Sequence, residues 1–293
     1  MTTNKDSIVI IGLGKVGTAI GFLLRNAGYL VLGIIDQSDS AAQKALDYTG
    51  GKICSISSLS GVNPDCIIIT TVDDAIASVC ETLCREGVIK PGVKVIHMSG
   101  AGGLDLLGCA KSKGAFVGSI HPVQSFSDIE GAIRNIPGSV FGVTVDDEIK
   151  NWSIDLVKEL KGTPFFVSAE DKSLYHAAAC IASNYLTALL YMVVEIYKHL
   201  GLKQDDAVKA FLPLVKGTLA NIEHQGPVMA LTGPIARGDI GTIKKHLDVF
   251  EKTLPDYRQI YAELGAITAD VGLLKGSIDD RKADAIKKIL KGG

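Results

Sequence analysis

The first 168 residues alternate short apolar runs with amphipathic stretches, and this alternation narrows the possible folds more than any other property of the chain. Residues 7–11, 30–35, 66–71, 94–98, 115–120, 140–145 and 165–168 read as strands, while 15–26, 41–46, 75–85, 104–111 and 148–161 carry apolar residues at helical spacing. Strand–helix alternation of this kind implies right-handed crossovers and a mainly parallel, doubly wound α/β sheet. After Ser168 no strand is expected. Ser168 is a suitable helix N-cap, with Glu170 and Asp171 supplying negative charge to the first turn, and the helix it starts can run from 169 to Leu200, where Gly201 stops it. A second helix, 204–225, contains Pro213 and is expected to kink there; Gly226-Pro227 and Gly233-Pro234 break the chain, and helical spacing resumes over 241–289 with interruptions near Pro255 and Gly276. The expected organisation is an α/β domain over 1–168 and an all-α domain over 169–293.

The first strand runs straight into Gly12-Leu13-Gly14-Lys15-Val16-Gly17, a G-x-G-x-x-G that opens a helix. Gly12 makes the tight turn, Gly14 lets a pyrophosphate approach the backbone, and Gly17 lets the helix lie against the sheet. The phosphates would sit on the helix N-terminus, where unpaired N–H groups and the helix dipole favour anions. Asp36 lies nineteen residues beyond Gly17, at the end of the second strand. A carboxylate there accepts from adenosine ribose hydroxyls and repels a 2′-phosphate, so NAD is favoured over NADP, although Ser38 and Lys44 are near enough to tolerate a phosphate. The expected cofactor contacts are Gly12, Leu13, Gly14, Lys15, Val16, Gly17, Asp36, Gln37, Thr71 and Val72.

Composition removes several other classes. The 293 residues amount to about two domains at ~150 residues each, and 47% hydrophobic with 21% charged excludes disorder for the bulk of the chain. Thirty Lys plus Arg against thirty-two Asp plus Glu leave a formal charge of −2, which provides no field for a nucleic-acid backbone. Residues 281–293 are basic, which suits the end of an exposed helix at least as well as an anion-binding tail. The stretch Met1 to Ser7 lacks the features of a secretory signal, so a cytoplasmic location with reduced thiols is expected. Of the six cysteines, Cys80 and Cys84 lie one helical turn apart, but no Cys or His follows at finger-like spacing and no metal is expected. Residues 177–194 are long and apolar enough to raise the question of a membrane span; Ser183, Asn184 and Thr187 within them, and the lack of a second such segment, favour a helix buried within the protein or between subunits.

Six segments together carry a resemblance. G-L-G-K-V-G at 12–17, T-T-V-D-D-A-I at 70–76, H-M-S-G-A at 97–101, G-S-I-H-P-V-Q-S-F-S-D at 118–128, Y-H-A-A-A-C-I-A-S-N-Y-L-T-A-L at 175–189 and A-L-T-G-P-I-A-R-G-D at 230–239 resemble the Rossmann-like family whose C-terminal half is a domain of unknown function (2520). That family is similar in architecture to the 6-phosphogluconate dehydrogenase-like group, which includes pyrroline-5-carboxylate, hydroxyisobutyrate and ketopantoate enzymes. The resemblance implies an NAD(P)-dependent oxidoreductase, commonly a homodimer, and names no substrate. In the ketopantoate reductases the helix corresponding to 176–189 resembles K-x-x-x-N-x-x-x-N-x-x-T-A-L, with the lysine as general acid. Here Asn184 and Thr187-Ala188-Leu189 keep that register, His176 replaces the lysine, Cys180 replaces the first asparagine, and Lys172 stands one turn earlier.

Lys172, His176, Cys180 and Asn184 recur every four residues and so share one helix face. Hydride transfer to a carbonyl or imine needs a proton donor, and His176 can serve in either direction near neutrality. The competing readings are a satisfied interface histidine for His176, a solvated first-turn residue for Lys172 and core packing for Cys180. Two loops at strand carboxyl ends should face this stripe. Ser99-Gly100-Ala101-Gly102-Gly103 resembles the serine–glycine loop that holds a substrate carboxylate in the hydroxyisobutyrate dehydrogenases, and its N–H groups and hydroxyl can form an anion nest or a plain turn. His121-Pro122 is expected either to touch nicotinamide or substrate or to play a structural part. Arg237 can clamp an anion or pair with Asp239 on the surface. The candidate catalytic residues are thus His176, Lys172, Asn184, Ser99 and His121, with Ser99, Gly100, His121, Asn184 and Arg237 toward a small, anionic carbonyl, hydroxy-acid or imine substrate. The alternative is a protein that binds NAD(H) as a sensory or structural ligand without turnover. A homodimer through the C-terminal helices is expected, with Tyr185, Leu189 and Met192 at the contact.

Overall fold

The structure, a computed structural model, describes residues 5–292; residues 1–4 of the polar start and Gly293 of the basic end lie outside them. The seven strands read from the sequence are β1 (Ser7–Ile11), β2 (Leu30–Ile35), β3 (Cys66–Ile69), β4 (Lys94–His97), β5 (Phe116–Pro122), β6 (Val140–Val145) and β7 (Thr163–Phe166). They form one sheet in the order β2-β1-β3-β4-β5-β6-β7, parallel throughout except where β5 meets β6.

Alternation along each strand feeds two apolar layers. Ile8, Ile10, Ile68 and Ile96 join one cluster with Ile20 and Leu24 of α1 (Lys15–Asn26). Val9, Ile11, Ile67, Ile69 and Val95 join the other with Ile76 and Leu83 of α3 (Asp73–Arg85). With both faces covered, the strands need apolar residues at every position, which is why they read as continuous runs. Each fully buried isoleucine contributes about 1.5–3 kcal/mol of transfer free energy. The remaining helices of this part are α2 (Asp39–Thr49), α4 (Gly108–Ser112), α5 (Ile129–Asn135) and α6 (Lys150–Glu159). The sequence reading lacked α5. It lies between antiparallel β5 and β6, and its N-cap Asp128 accepts from the Gly131 amide at 2.6 Å.

The strands end near Ser168, but the first compact unit continues through Asn184 and the second begins at Tyr185. The first unit retains α7 (Lys172–Cys180) because side chains of that helix hydrogen-bond to β5. The helix starts later than read: the Ser168 hydroxyl accepts from the Asp171 amide at 3.1 Å, and regular turns begin at Lys172. A π-helical turn, Ile181–Tyr185, follows, then α8 (Leu186–His199).

The second unit is all-helical: α8, α9 (Gln204–Ala230), α10 (Ile240–Thr253), α11 (Arg258–Leu274) and α12 (Asp280–Leu290). The backbone stays helical at Pro213 and breaks at Gly226, where φ is 76°. Ile243, Leu247, Ala269 and Ile286 centre one apolar cluster, and Val194, Ala207 and Phe211 another. Over Lys172–His199 the chain is long and apolar enough to cross a membrane by length and composition alone, with mean hydropathy 1.7. Of the two expectations for this segment, burial within the chain itself is not met: Ile181 is 60% exposed, and Tyr185 and Tyr191 61% each. Apolar residues occupy more than one side of the helix, so a single neighbour cannot cover them.

The tightest packing lies under α1. A Cβ on Gly17 would overlap the Gly12 carbonyl oxygen and the Thr70 hydroxyl. Gly17→Ala should therefore lower unfolding free energy by about 1–3 kcal/mol, read as a lower urea midpoint; an unchanged midpoint would contradict this packing.

Candidate active site

Strand order reverses about β1, so the loops leaving β1 and β3 diverge and open a cleft at their carboxyl ends. Gly12 turns out of β1 at φ +96°, and its amide donates to Ile35 O at 2.8 Å. A Cβ there would lie 2.6 Å from the Thr71 nitrogen. Gly14 caps α1 without a side-chain partner, and nothing lies within 4 Å of where its Cβ would be. The backbone at the start of α1 can therefore be approached closely at Gly14. The cleft, about 400 Å³, is lined by Gly12, Gly14, Asp36, Gln37, Thr71 and Val72, all expected cofactor contacts.

Three other expected contacts are employed differently. The Leu13 side chain is 3% exposed in the core, and its amide donates to Asp36 Oδ2 at 2.6 Å. Val16 packs against the same core, and Lys15 Nζ donates to Phe126 O at 3.2 Å. Asp36 Oδ1 accepts from the Ser38 amide at 2.8 Å, so the carboxylate is anchored in the cleft by two backbone donors. The Thr71 hydroxyl is buried without a hydrogen-bond partner among the described residues. An uncapped helix start, a Cβ-free approach at Gly14, an anchored carboxylate and an unsatisfied buried hydroxyl together fit a dinucleotide.

The loop leading to α3 joins this cleft to a second cluster. Val72 lines the cleft, and the next residue, Asp73, accepts from Ser99 Oγ at 2.8 Å. Ser99 Oγ also accepts from the Gly102 amide at 2.8 Å, and the Ser99 amide donates to His97 Nδ1 at 3.2 Å. His97, fully buried, has its Nε2 3.1 Å from Gly103 O. Burial pushes its pKa down to about 4, so it staples the loop as a neutral ring. Of the two expectations for this loop, these bonds fit the plain turn better than the anion nest: the Ser99 hydroxyl is engaged by Asp73 and the Gly102 amide, and the Ser99 amide by His97.

Lys172 is 2% exposed, which overturns its reading as a solvated first-turn residue. Its Nζ donates to Ser119 Oγ at 2.7 Å and lies 3.4 Å from Ser99 O, and Ser119 Oγ in turn donates to Ser99 O at 2.9 Å. Burial disfavours the ammonium and lowers its pKa to about 8, with the Asp73 carboxylate pulling the other way.

His121 is the penultimate residue of β5 and pairs across the ladder with Gly142. Burial first, then the neighbouring His176 and Lys172, push its pKa down to about 4. The His121 and His176 rings lie 6.0 Å apart, and Gly100 packs between their edges: a Cβ there would be 2.5 Å from His176 Cδ2 and 2.8 Å from His121 Cε1. Cys180 Sγ sits 3.8 Å from His176 Nδ1. The expected stripe therefore holds from Lys172 through Cys180. Asn184 leaves it, because the π-turn adds a residue to that turn and rotates the helix face; Asn184 is exposed. Arg237 belongs to the second unit, exposed on the turn before α10, whose N-cap Asp239 accepts from the Thr242 amide at 3.1 Å.

Sequence reasoning missed Asp73, His97, Ser119 and Tyr175 as parts of this cluster. Ser119 was available from strand period alone, because it lies two residues before His121 and shares its face.

Residues 1–122 match the Rossmann-like domain, and residues 139–268 match a domain of unknown function (DUF2520). The chain joins a Rossmann-like domain to a DUF2520 domain. No curated protein matches it. A Bacteroides fragilis protein assigned as an NADP oxidoreductase shares the fold at a TM-score of 0.73 and 20% identity, over 91% of this chain and 99% of its own. A Thermotoga maritima protein has a TM-score of 0.73 at 26% identity, over 90% and 98%. A pyrroline-5-carboxylate reductase from Coxiella burnetii has a TM-score of 0.58 at 17% identity, over 93% and 99%. These likenesses establish the architecture, a doubly wound sheet followed by helices, and the DUF2520 match spans β6 and β7 as well as helices of the second unit.

Proposed function

We propose that the chain is a nicotinamide-dependent dehydrogenase or reductase acting on a small carbonyl, hydroxy-acid or imine compound. The observation that carries this reading is Lys172, an amine buried beside the dinucleotide cleft with a pKa near 8. Burying an ammonium costs free energy, and perturbed groups of this kind concentrate where protons are moved. A dinucleotide held by its pyrophosphate at Gly12–Gly17 would supply or take up the hydride through its nicotinamide. The chain's own residues then handle the proton: Ser119 and the Ser99 carbonyl orient Nζ, which donates to the substrate oxygen or nitrogen on reduction and accepts from the hydroxyl on oxidation. His176, beside Gly100, is the competing donor.

The test is oxidation of NADH against a panel of 2-oxo acids, cyclic imines and, in reverse, hydroxy acids, followed as a function of pH. With Lys172 as acid, the reduction rate is level below pH 8 and falls above it, because only the ammonium form donates; oxidation shows the opposite slope. Lys172→Met should cost about a hundred- to ten-thousandfold and abolish the inflection, with NADH affinity kept. If His176→Ala does this instead, the role moves to His176. Binding of NADH without turnover of any compound would favour the sensory reading.

Asp36 supports a preference for NAD, although the Bacteroides relative is named for NADP. Unmodified protein should have a lower KM for NADH than for NADPH, and Asp36→Ala should narrow the gap. Equal KM values in the unmodified protein would refute the preference.

The exposed apolar residues of the second unit, Tyr185 and Tyr191 among them, support pairing of two copies through the C-terminal helices. Sedimentation at micromolar concentration should give a dimer, and a monomer would refute the pairing.

A further inference from the structure

Tyr175 precedes His176 in α7 and has no role in the reading above. Its ring stands edge-on to His121, centroids 5.8 Å apart at 88°, with the hydroxyl oxygen 2.9 Å from His121 Nδ1. Gly142 makes room for it. As the cross-strand partner of His121, Gly142 leaves the position beside the imidazole without a side chain, and a Cβ there would overlap the Tyr175 hydroxyl.

The donor and acceptor inventory gives this hydrogen bond a direction. The Gly142 backbone amide donates to the Tyr175 oxygen, against the upward push of burial on its pKa, so the phenol proton is directed to its other partner, His121 Nδ1, 2.9 Å away. A phenol is also the stronger donor, and an unprotonated imidazole nitrogen the stronger acceptor. Nδ1 therefore accepts, and a neutral ring carries its proton on Nε2. Burial first, then the neighbouring His176 and Lys172, lower its pKa to about 4 and keep the ring neutral. Nε2 has no hydrogen-bond partner among the described residues.

We infer that Tyr175 is a positioning residue: its hydroxyl donates to His121 Nδ1 and fixes the Nε2–H tautomer, so that His121 serves a ligand as a neutral hydrogen-bond donor while Lys172 transfers the proton. The ring gives up no proton in this role; it polarises a carbonyl or imine from a fixed orientation. The catalytic half rests on the oxidoreductase reading, whereas the tautomer does not.

The experiment is ¹⁵N NMR of full-length protein labelled at histidine, without cofactor or substrate, with the His121 signals assigned by their loss in His121→Gln. The expected result is a pyrrole-like Nε2 and a pyridine-like Nδ1, both moving toward the exchange-averaged position in Tyr175→Phe. In the turnover assay Tyr175→Phe should lower kcat about tenfold with KM for the dinucleotide unchanged. A protonated Nδ1, or an identical pattern in Tyr175→Phe, overturns the inference. A shifted pattern with unchanged kcat overturns the positioning role. If the unmodified protein shows the expected pattern and turns nothing over, the oxidoreductase reading fails while the Tyr175–His121 assignment stands.

Discussion

A primary amine kept out of water must be surrounded by oxygen, and the first unit of this protein is arranged around that requirement. Lys172 Nζ reaches Ser119 Oγ and the Ser99 carbonyl, and Asp73 stands behind Ser99 as the nearby negative charge. Each of these atoms is fixed in turn. Ser119 is held by β5, Ser99 by the His97 staple, and Asp73 by the first turn of α3. Removing one partner leaves a buried cation under-solvated, which is typically worth several kcal/mol. The burial that lowers the amine's pKa is thus secured by the same loop that fixes its hydrogen-bond partners.

The dinucleotide cleft and the amine are linked through a single stretch of chain. Thr70 donates to the Gly12 carbonyl, Thr71 and Val72 line the cleft, and Asp73 engages Ser99. Four successive residues thus run from the glycine turn to the Lys172 cluster. A displacement of the β3–α3 loop would be felt at both ends, and no long-range transmission has to be invoked.

Most of the fold could be read from the sequence because both-sided burial leaves unbroken apolar runs, and β1, β2 and β6 have the expected bounds. The seven-residue α5 escaped because it is too short to display helical spacing. Gly12, Gly14 and Gly17 were legible because each has one mechanical reason to lack a side chain. Lys172 was misjudged for the opposite reason: a lysine in a first helical turn is ordinarily solvated, and only the fold brings Ser99 and Ser119 to it. Asn184 was assigned by a strict spacing of four, which a π-turn does not respect. The Ser99 loop looked like an anion nest because its glycines say nothing about where its hydroxyl points, and the hydroxyl points to Asp73.

The central claim is that Lys172 is a buried amine that loses its proton near neutrality. Its titration can be followed directly by NMR of protein labelled with ¹³C at the lysine ε-carbon, the Lys172 signal being identified by its absence in Lys172→Met. The structure predicts an inflection near pH 8. An inflection at the ordinary lysine value of about 10.5 would contradict it.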